Sequence, residues 1–274
     1  MSGLLYKFNN YISHYSNIIN SDIKCYDIKQ ANINILYDAG VLDDELYNKL
    51  STCRKIDREV YIGKMIKKNK NLSIILDNGF LQARKDLFEA NDINDSDVLS
   101  IKKDAVYLIE KPLNITRFNS IYFRLTDEYT SFYRLKNLEL YYNGRTDILS
   151  VKGIGNETLD AYHNDHFCLL LKAIFKLAEK QDLEFMMNAM KKFISMYLNF
   201  EMDIECYREF NRISSYRLKF DSAIIFNTKV NSIGTMYIDN SMKYKYKEYL
   251  DISYNYNILL ELYGFYFDRY MDKM

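Results

Sequence analysis

Apolar and polar positions change period several times along this chain, and those changes mark its elements. Residues 5–26 mix aromatic and polar side chains and run into DIKCYDIKQ, which predicts a strand closing near Asp27. AGVLDDELYNKL then predicts a turn at Gly40 and a helix. Asp43 or Asp44 can cap that helix, because a short acidic side chain accepts from the free amides of a first turn. Residues 54–70, RKIDREVYIGKMIKKNK, read as a helix, and residues 72–91 as helical with a break near Asn78 and Gly79. In DVLSIKKDAVYLIEK the period shortens. Val98, Ile101, Val106, Leu108 and Ile109 flank a polar KKD centre, the pattern of a β-hairpin, and Pro112 ends it. Residues 119–143 alternate apolar and polar, with β-branched and aromatic side chains, and predict two or three antiparallel strands.

After Gly144 the pattern turns helical. KGIGNE predicts a Gly-rich turn leading to a long amphipathic helix from about Asp160. DLEFMMNAMKKFISMYLN predicts a second helix, with Met186, Met187 and Met190 as core filler rather than a cofactor site. ILLELYGFYFDRYMDK predicts a last helix. No internal repeat or linker is evident, and the composition shift across 145–153 is the best division, into 1–148 and 149–274. The expected class is α+β: a small antiparallel sheet with flanking helices, then a mainly helical region.

Composition narrows the function classes. The 37 basic and 37 acidic side chains cancel, so a partner that coats nucleic acid by bulk charge is excluded. Any nucleic-acid surface must come from local segregation of charge. The largest local excess is in 54–70, with seven basic and two acidic residues. A solvated face explains such a run, and so does a phosphate-facing helix. The 26 Tyr, 16 Phe and abundant Ile, Asn and Lys fit an AT-rich genome, as in a low-GC bacterium or a phage. Cys25, Cys53, Cys168 and Cys206 form no CxxC, so a zinc ribbon or redox motif is not expected and reduced thiols are. MSGLLYKFNN lacks the apolar core of a signal peptide, and no apolar run approaches about 18 residues. A cytoplasmic protein with no membrane span is the expectation.

Two acids stand out by context. Asp27 ends a strand and Asp104 sits in the hairpin turn. Carboxylates at the ends of adjacent strands can share divalent cations, clamp a nucleotide's phosphates and activate a hydroxyl for in-line attack. Taken in order, the segments resemble family B DNA polymerases from the first palm motif through the thumb. D27-I-K-Q-A-N-I-N is similar to that family's Asp-x-x-Ser-Leu-Tyr-Pro-Ser, and K55-I-D-R-E-V-Y-I-G63 to its Lys-x3-Asn-Ser-x-Tyr-Gly. S100-I-K-K-D104-A resembles the Tyr-Gly-Asp-Thr-Asp-Ser hairpin, and S150-V-K152-G153-I the Lys-Gly element at the palm–thumb junction.

The resemblance implies a palm-like domain over 1–148, with the fingers reduced to a helix pair at about 41–70, and a mainly helical thumb-like domain over 149–274. It makes Asp27 and Asp104 the catalytic metal ligands for Mg²⁺ or Mn²⁺, and Lys55, with Arg58, the group that reaches a triphosphate. The chain departs from the family in three places. Glu59 and Val60 replace the Asn-Ser pair. Asn32 replaces the tyrosine that screens the sugar 2′-position, which would admit a ribose. Lys102 replaces the first Asp of the third motif. A lysine there either repels divalent ions or substitutes for one of them and pairs with phosphate.

Lys103, Lys152, Arg208, Arg212, Arg217 and Lys219 are the candidate contacts to DNA or RNA. Those in 207–220 interleave with Tyr and Phe, which suits single-strand contact, although aromatics turned inward explain the pattern too. His163 and His166 share a helical face, and metal binding or plain surface positions account for both.

A nucleotidyltransferase extending a 3′ end therefore stands beside a polymerase-like scaffold that has lost its chemistry and binds a protein or DNA partner in a phage assembly. A chance agreement in a plain interaction protein is a third reading. Two conditions separate them. Chemistry needs the two carboxylates roughly 4–6 Å apart at most, for metals bound at about 2.1 Å. A basic side chain between the acids would favour the scaffold.

Overall fold

The computed structural model describes residues 4–135, 138–152, 165–199, 201, 219–220, 223–224 and 253–273, with side chains left undescribed at 165–169, 219–220, 223–224 and 253–255. Its strands and helices are β1 (Asn10–Ile12), β2 (Asn17–Ile28), α1 (Ala31–Asp38), α2 (Asp44–Thr52), α3 (Lys55–Lys68) and α4 (Asn71–Ala90). Then follow β3 (Val98–Lys102), β4 (Ala105–Ile109), β5 (Arg117–Phe118), β6 (Ile121–Leu135), β7 (Leu138–Asn143) and β8 (Ile148–Lys152). The last are α5 (Asp165–Ala178), α6 (Leu183–Leu198), β9 (Lys219–Phe220), β10 (Ala223–Ile224) and α7 (Ser253–Met271). The class is α+β, as the pattern predicts.

The chain divides into two compact units, one of residues 1–15 and 21–129, the other of 16–20 and 130–274. The division expected at 148/149 falls within β8.

In the first unit the strand order is β1-β3-β4-β2-β6, with β5 beside β6. The hairpin strand β4 inserts between β2 and β3 and pairs antiparallel with both. Helices α1–α4 connect β2 to β3, so the topology is a split β-α-β unit. Its core joins Tyr26 and Ile28 of β2, Leu76, Phe80 and Leu87 of α4, and Val106 and Leu108 of β4. The apolar stripe of α4 follows the i, i+4, i+7 spacing of a helix face. Asp43 caps α2, accepting from the Leu46 amide at 2.8 Å, and Gly40 turns the chain at φ +69°. Both features match the sequence pattern.

Three elements differ from it. Helix α4 runs unbroken through Asn78 and Gly79. Gly79 is there for packing: a Cβ on it would lie 2.1 Å from Ile35 Cγ2 of α1. Helix α1 forms at 31–38, where the pattern showed none, and Gln30 precedes it at φ +54° with no side-chain cap. β8 is a strand where helix was expected, because pairing with β7 supplies its hydrogen bonds.

In the second unit β6, β7 and β8 form successive antiparallel pairs. Tyr133, Leu140 and Tyr142 of these strands pack with Phe175 of α5, Met186 and Met190 of α6, and Leu262 and Tyr266 of α7. Met186 and Met190 are thus core residues, as expected, and Met187 packs against the same core. Asp182 caps α6 through the Phe185 amide at 2.8 Å. The helix predicted from Asp160 is described only from Asp165 onward, and Gly153 and Gly155 lie outside the described residues.

Candidate nucleotide and metal site

Asp27 and Asp104 meet because β2 and β4 are neighbours. Asp27 is paired with Ala105, the residue after Asp104. The Ile28 amide donates to the Asp104 carbonyl at 3.0 Å, which ties the strand end to the hairpin turn. That turn is tight: Lys102 pairs with Ala105, and Lys103 sits between them at φ +50°. Arg84 of α4 holds it from beneath. Fully buried, Arg84 donates to the carbonyls of Lys103 at 2.6 Å and Tyr6 at 2.9 Å and to Asn9 Oδ1 at 2.8 Å. The Lys103 amide in turn donates to the Asn9 carbonyl at 2.6 Å. Burial pushes the Arg84 guanidinium down to about 10, with Asp77 offsetting part of the effect, so it stays charged at neutral pH.

The electrostatics of Asp27 record its neighbours. Burial raises its carboxyl above the ordinary value, and the charge of Asp104 raises it further. A hydrogen bond and the charge of Arg124 pull it down, and so does the charge of Lys55. Asp27, Asp104, Lys55 and Arg124 therefore share one electrostatic neighbourhood. Two like-charged carboxylates side by side are a pair that a cation would stabilise. Among the described residues, Asp27 Oδ1 and both Asp104 carboxylate oxygens make no hydrogen bond, so hard oxygen donors are free there. The donor set suits Mg²⁺ or Mn²⁺, which commonly keep waters and bind through one or two carboxylates plus substrate phosphates.

Arg124 of β6 is the unexpected member. Its Nη2 lies 3.2 Å from Asp27 Oδ2. This brings a basic side chain to the acid pair. Alternation along β6 puts Ile121 and Phe123 in the core and leaves Arg124 on the opposite face. Only the pairing of β6 with β2, which no local motif announces, shows that this face meets Asp27. Arg84 was legible in principle, as one cation inside the apolar stripe Leu76, Phe80, Ala83, Leu87.

The remaining candidates distribute unevenly. Lys55 and Arg58 lie three apart on α3, hence on one face. Arg58 is 7% exposed, and its Nε has no hydrogen-bond partner. Glu59 Oε1 at 3.8 Å is its ion-pair contact, beyond hydrogen-bonding range. A buried Nε–H without a partner is costly, and an anion would relieve it. Asn32 of α1 donates to Glu59 Oε2 at 2.8 Å.

Lys102 is half-buried at the end of β3. The Lys103 ammonium lies 3.7 Å from Asp77 and 4.9 Å from the Phe80 ring centre, directed to α4. Lys152 is exposed on β8. Arg208, Arg212, Arg217 and His163 lie outside the described residues, as do the side chains of Lys219 and His166. Cys25 and Cys53 are free thiols. No cluster of three or more potential metal ligands occurs among the described residues.

The fold and site together define an α+β protein with an acid pair at the end of an antiparallel sheet. By sequence, residues 1–266 match the family model described as Bacteriophage PBS1 gene 130 protein, and the chain belongs to that family. No curated protein matches it. The phage origin that the composition allowed is the one this family carries. No helix among the described residues is long and apolar enough to cross a membrane.

Proposed function

We propose that this phage-family protein is a reduced, polymerase-like nucleic-acid-binding protein whose acid pair holds a divalent cation and supports nucleotide addition to a 3′ end. The observation that carries the reading is the coupling of Asp27 and Asp104 at the ends of adjacent antiparallel strands, with Lys55 in the same field. The split β-α-β order supports the palm resemblance, since the first-motif strand borders the second strand of the third-motif hairpin. A bound Mg²⁺ or Mn²⁺ would polarise the phosphoryl group and lower the pKa of the attacking hydroxyl. Asp27 and Asp104 would hold it, while Lys55 and the buried Arg58 would neutralise the triphosphate.

One observation favours a second reading, the catalytically inactive scaffold that binds a protein or nucleic-acid partner. Arg124 occupies one oxygen of Asp27, so a cation must compete with an ion pair already formed. Extension of a labelled primer on a template with Mg²⁺ or Mn²⁺ decides between them. Metal-dependent extension lost in Asp104→Asn supports the enzyme. Salt-sensitive binding of the primer–template without extension supports the scaffold. Neither extension nor binding overturns both.

A further inference from the structure

We infer that a cleft of about 470 Å³ between α1, α4 and the β5–β6 turn takes a short segment of a partner protein that joins an apolar anchor to a lysine or arginine. Its walls are Ile35, Ile75, Ala83, Phe118 and Ile121. Asp38 and Asp86 stand among them, and no cationic side chain lines the cleft among the described residues. Among the described residues Asp38 accepts only from the Ser120 amide, at 3.3 Å to each oxygen. Asp86 accepts from the Gln82 side chain at Oδ1 and leaves Oδ2 free of partners among the described residues. Two carboxylates without a counter-cation, beside an apolar wall, fit a side chain with an aliphatic stem and a positive head.

The volume lies within the range of small-molecule pockets and is ample for an apolar side chain beside a long cationic one. Gln82, Asn78 and Asn119 supply amide groups for the backbone of such a segment. The closeness of α1 and α4 at Gly79 shapes the floor, so the glycine that reads as a helix break serves the cleft. This site is separate from the acid pair and does not rest on the polymerase-like reading.

A pool of acetylated pentapeptides pairing Leu or Phe with Arg or Lys, titrated onto the full chain and followed by ligand-observed NMR, tests it. Saturable binding is expected, weakened about tenfold or more when citrulline replaces arginine and by Asp38→Asn with Asp86→Asn. Asp104→Asn should bind the peptides as wild type does, which separates this result from the fate of the acid pair. Thermal unfolding of the Asp38→Asn, Asp86→Asn variant at the wild-type temperature excludes misfolding as the cause of loss; if it unfolds earlier, Asp38→Asn alone, at an exposed position, takes its place. The inference is overturned by no saturable binding, by equal binding of the citrulline peptides, or by spermidine binding with equal strength.

Discussion

Ionising Asp27 costs more in the folded chain than in the unfolded one, because burial and the neighbouring Asp104 charge both oppose it and Arg124 and Lys55 offset them only in part. Its folded-state value therefore lies above the ordinary 3.8. The folded chain holds the extra proton between those two values. The stabilisation from the protonated form is full below the unfolded value and is lost as pH rises through the folded one. Asp27→Asn removes the charge and should raise the melting temperature at pH 7, with the gap to wild type narrowing as pH falls through the folded-state value toward the ordinary 3.8. Thermal unfolding across a pH series checks this, and a gap that widens toward acid would refute it. Arg84 makes the opposite contribution. Arg84→Met leaves the Lys103 and Tyr6 carbonyls without a donor, and should cost about 3 kcal/mol in urea unfolding. The two arginines also show where sequence reading ends. Arg84 interrupts an apolar stripe and could be seen, whereas the contact of Arg124 with Asp27 comes from strand pairing across 97 positions and has no local mark.

At the scale of elements, helices and strands with strong local signals were legible. The cap at Asp43, the turn at Gly40 and the hairpin around Lys103 and Asp104 each carry their own chemistry. The misread elements depend on tertiary partners. α1 has no cap and no acidic first turn, and what holds it is tertiary: the burial of Ile33, Ile35 and Leu36 and the hydrogen bonds of Asn34 to the Lys29 carbonyl and the Tyr47 hydroxyl. β8 lacks clear alternation and exists by pairing with β7. Gly79 is the sharpest instance. Helix propensity alone predicts that Gly79→Ala stabilises by up to about 1 kcal/mol. Contact with Ile35 reverses the sign, and the variant should lose about 1–3 kcal/mol through overpacking. Ile35→Ala, which removes the Cγ2 and Cγ1 that a Cβ at 79 would meet, should cost less in the Gly79→Ala chain than in wild type, measured as a double-mutant cycle. A stabilised Gly79→Ala would show that α1 gives way freely.

At the scale of the whole molecule, the net charge of zero hides segregation. Helix α3 ends in exposed lysines, among them Lys64, Lys67 and Lys68, while Asp38 and Asp86 line a cleft on α1 and α4. If α3 tracks a nucleic-acid backbone, replacing those three lysines with glutamine should lower the slope of log affinity against log salt by roughly 2–3. Fluorescence anisotropy at a series of salt concentrations measures it, and an unchanged slope would remove α3 from the interface. Strands β2 and β4 are neighbours in the sheet, and their register sets Asp27 opposite Ala105, beside Asp104. The ion pair that competes for Asp27, and the bonding of Asn32 to Glu59, depend on side chains from separate elements and were not legible.

The proposed chemistry requires Asp27 and Asp104 to bind a divalent cation together. The most direct measurement is a Mn²⁺ titration of the full chain with a primer–template, with free ion followed by electron paramagnetic resonance. Wild type should bind one or two ions saturably, and Asp27→Asn and Asp104→Asn should each lose that binding by tenfold or more. Equal Mn²⁺ affinity in all three chains would contradict the account and leave the acid pair as the partner of Arg124 alone.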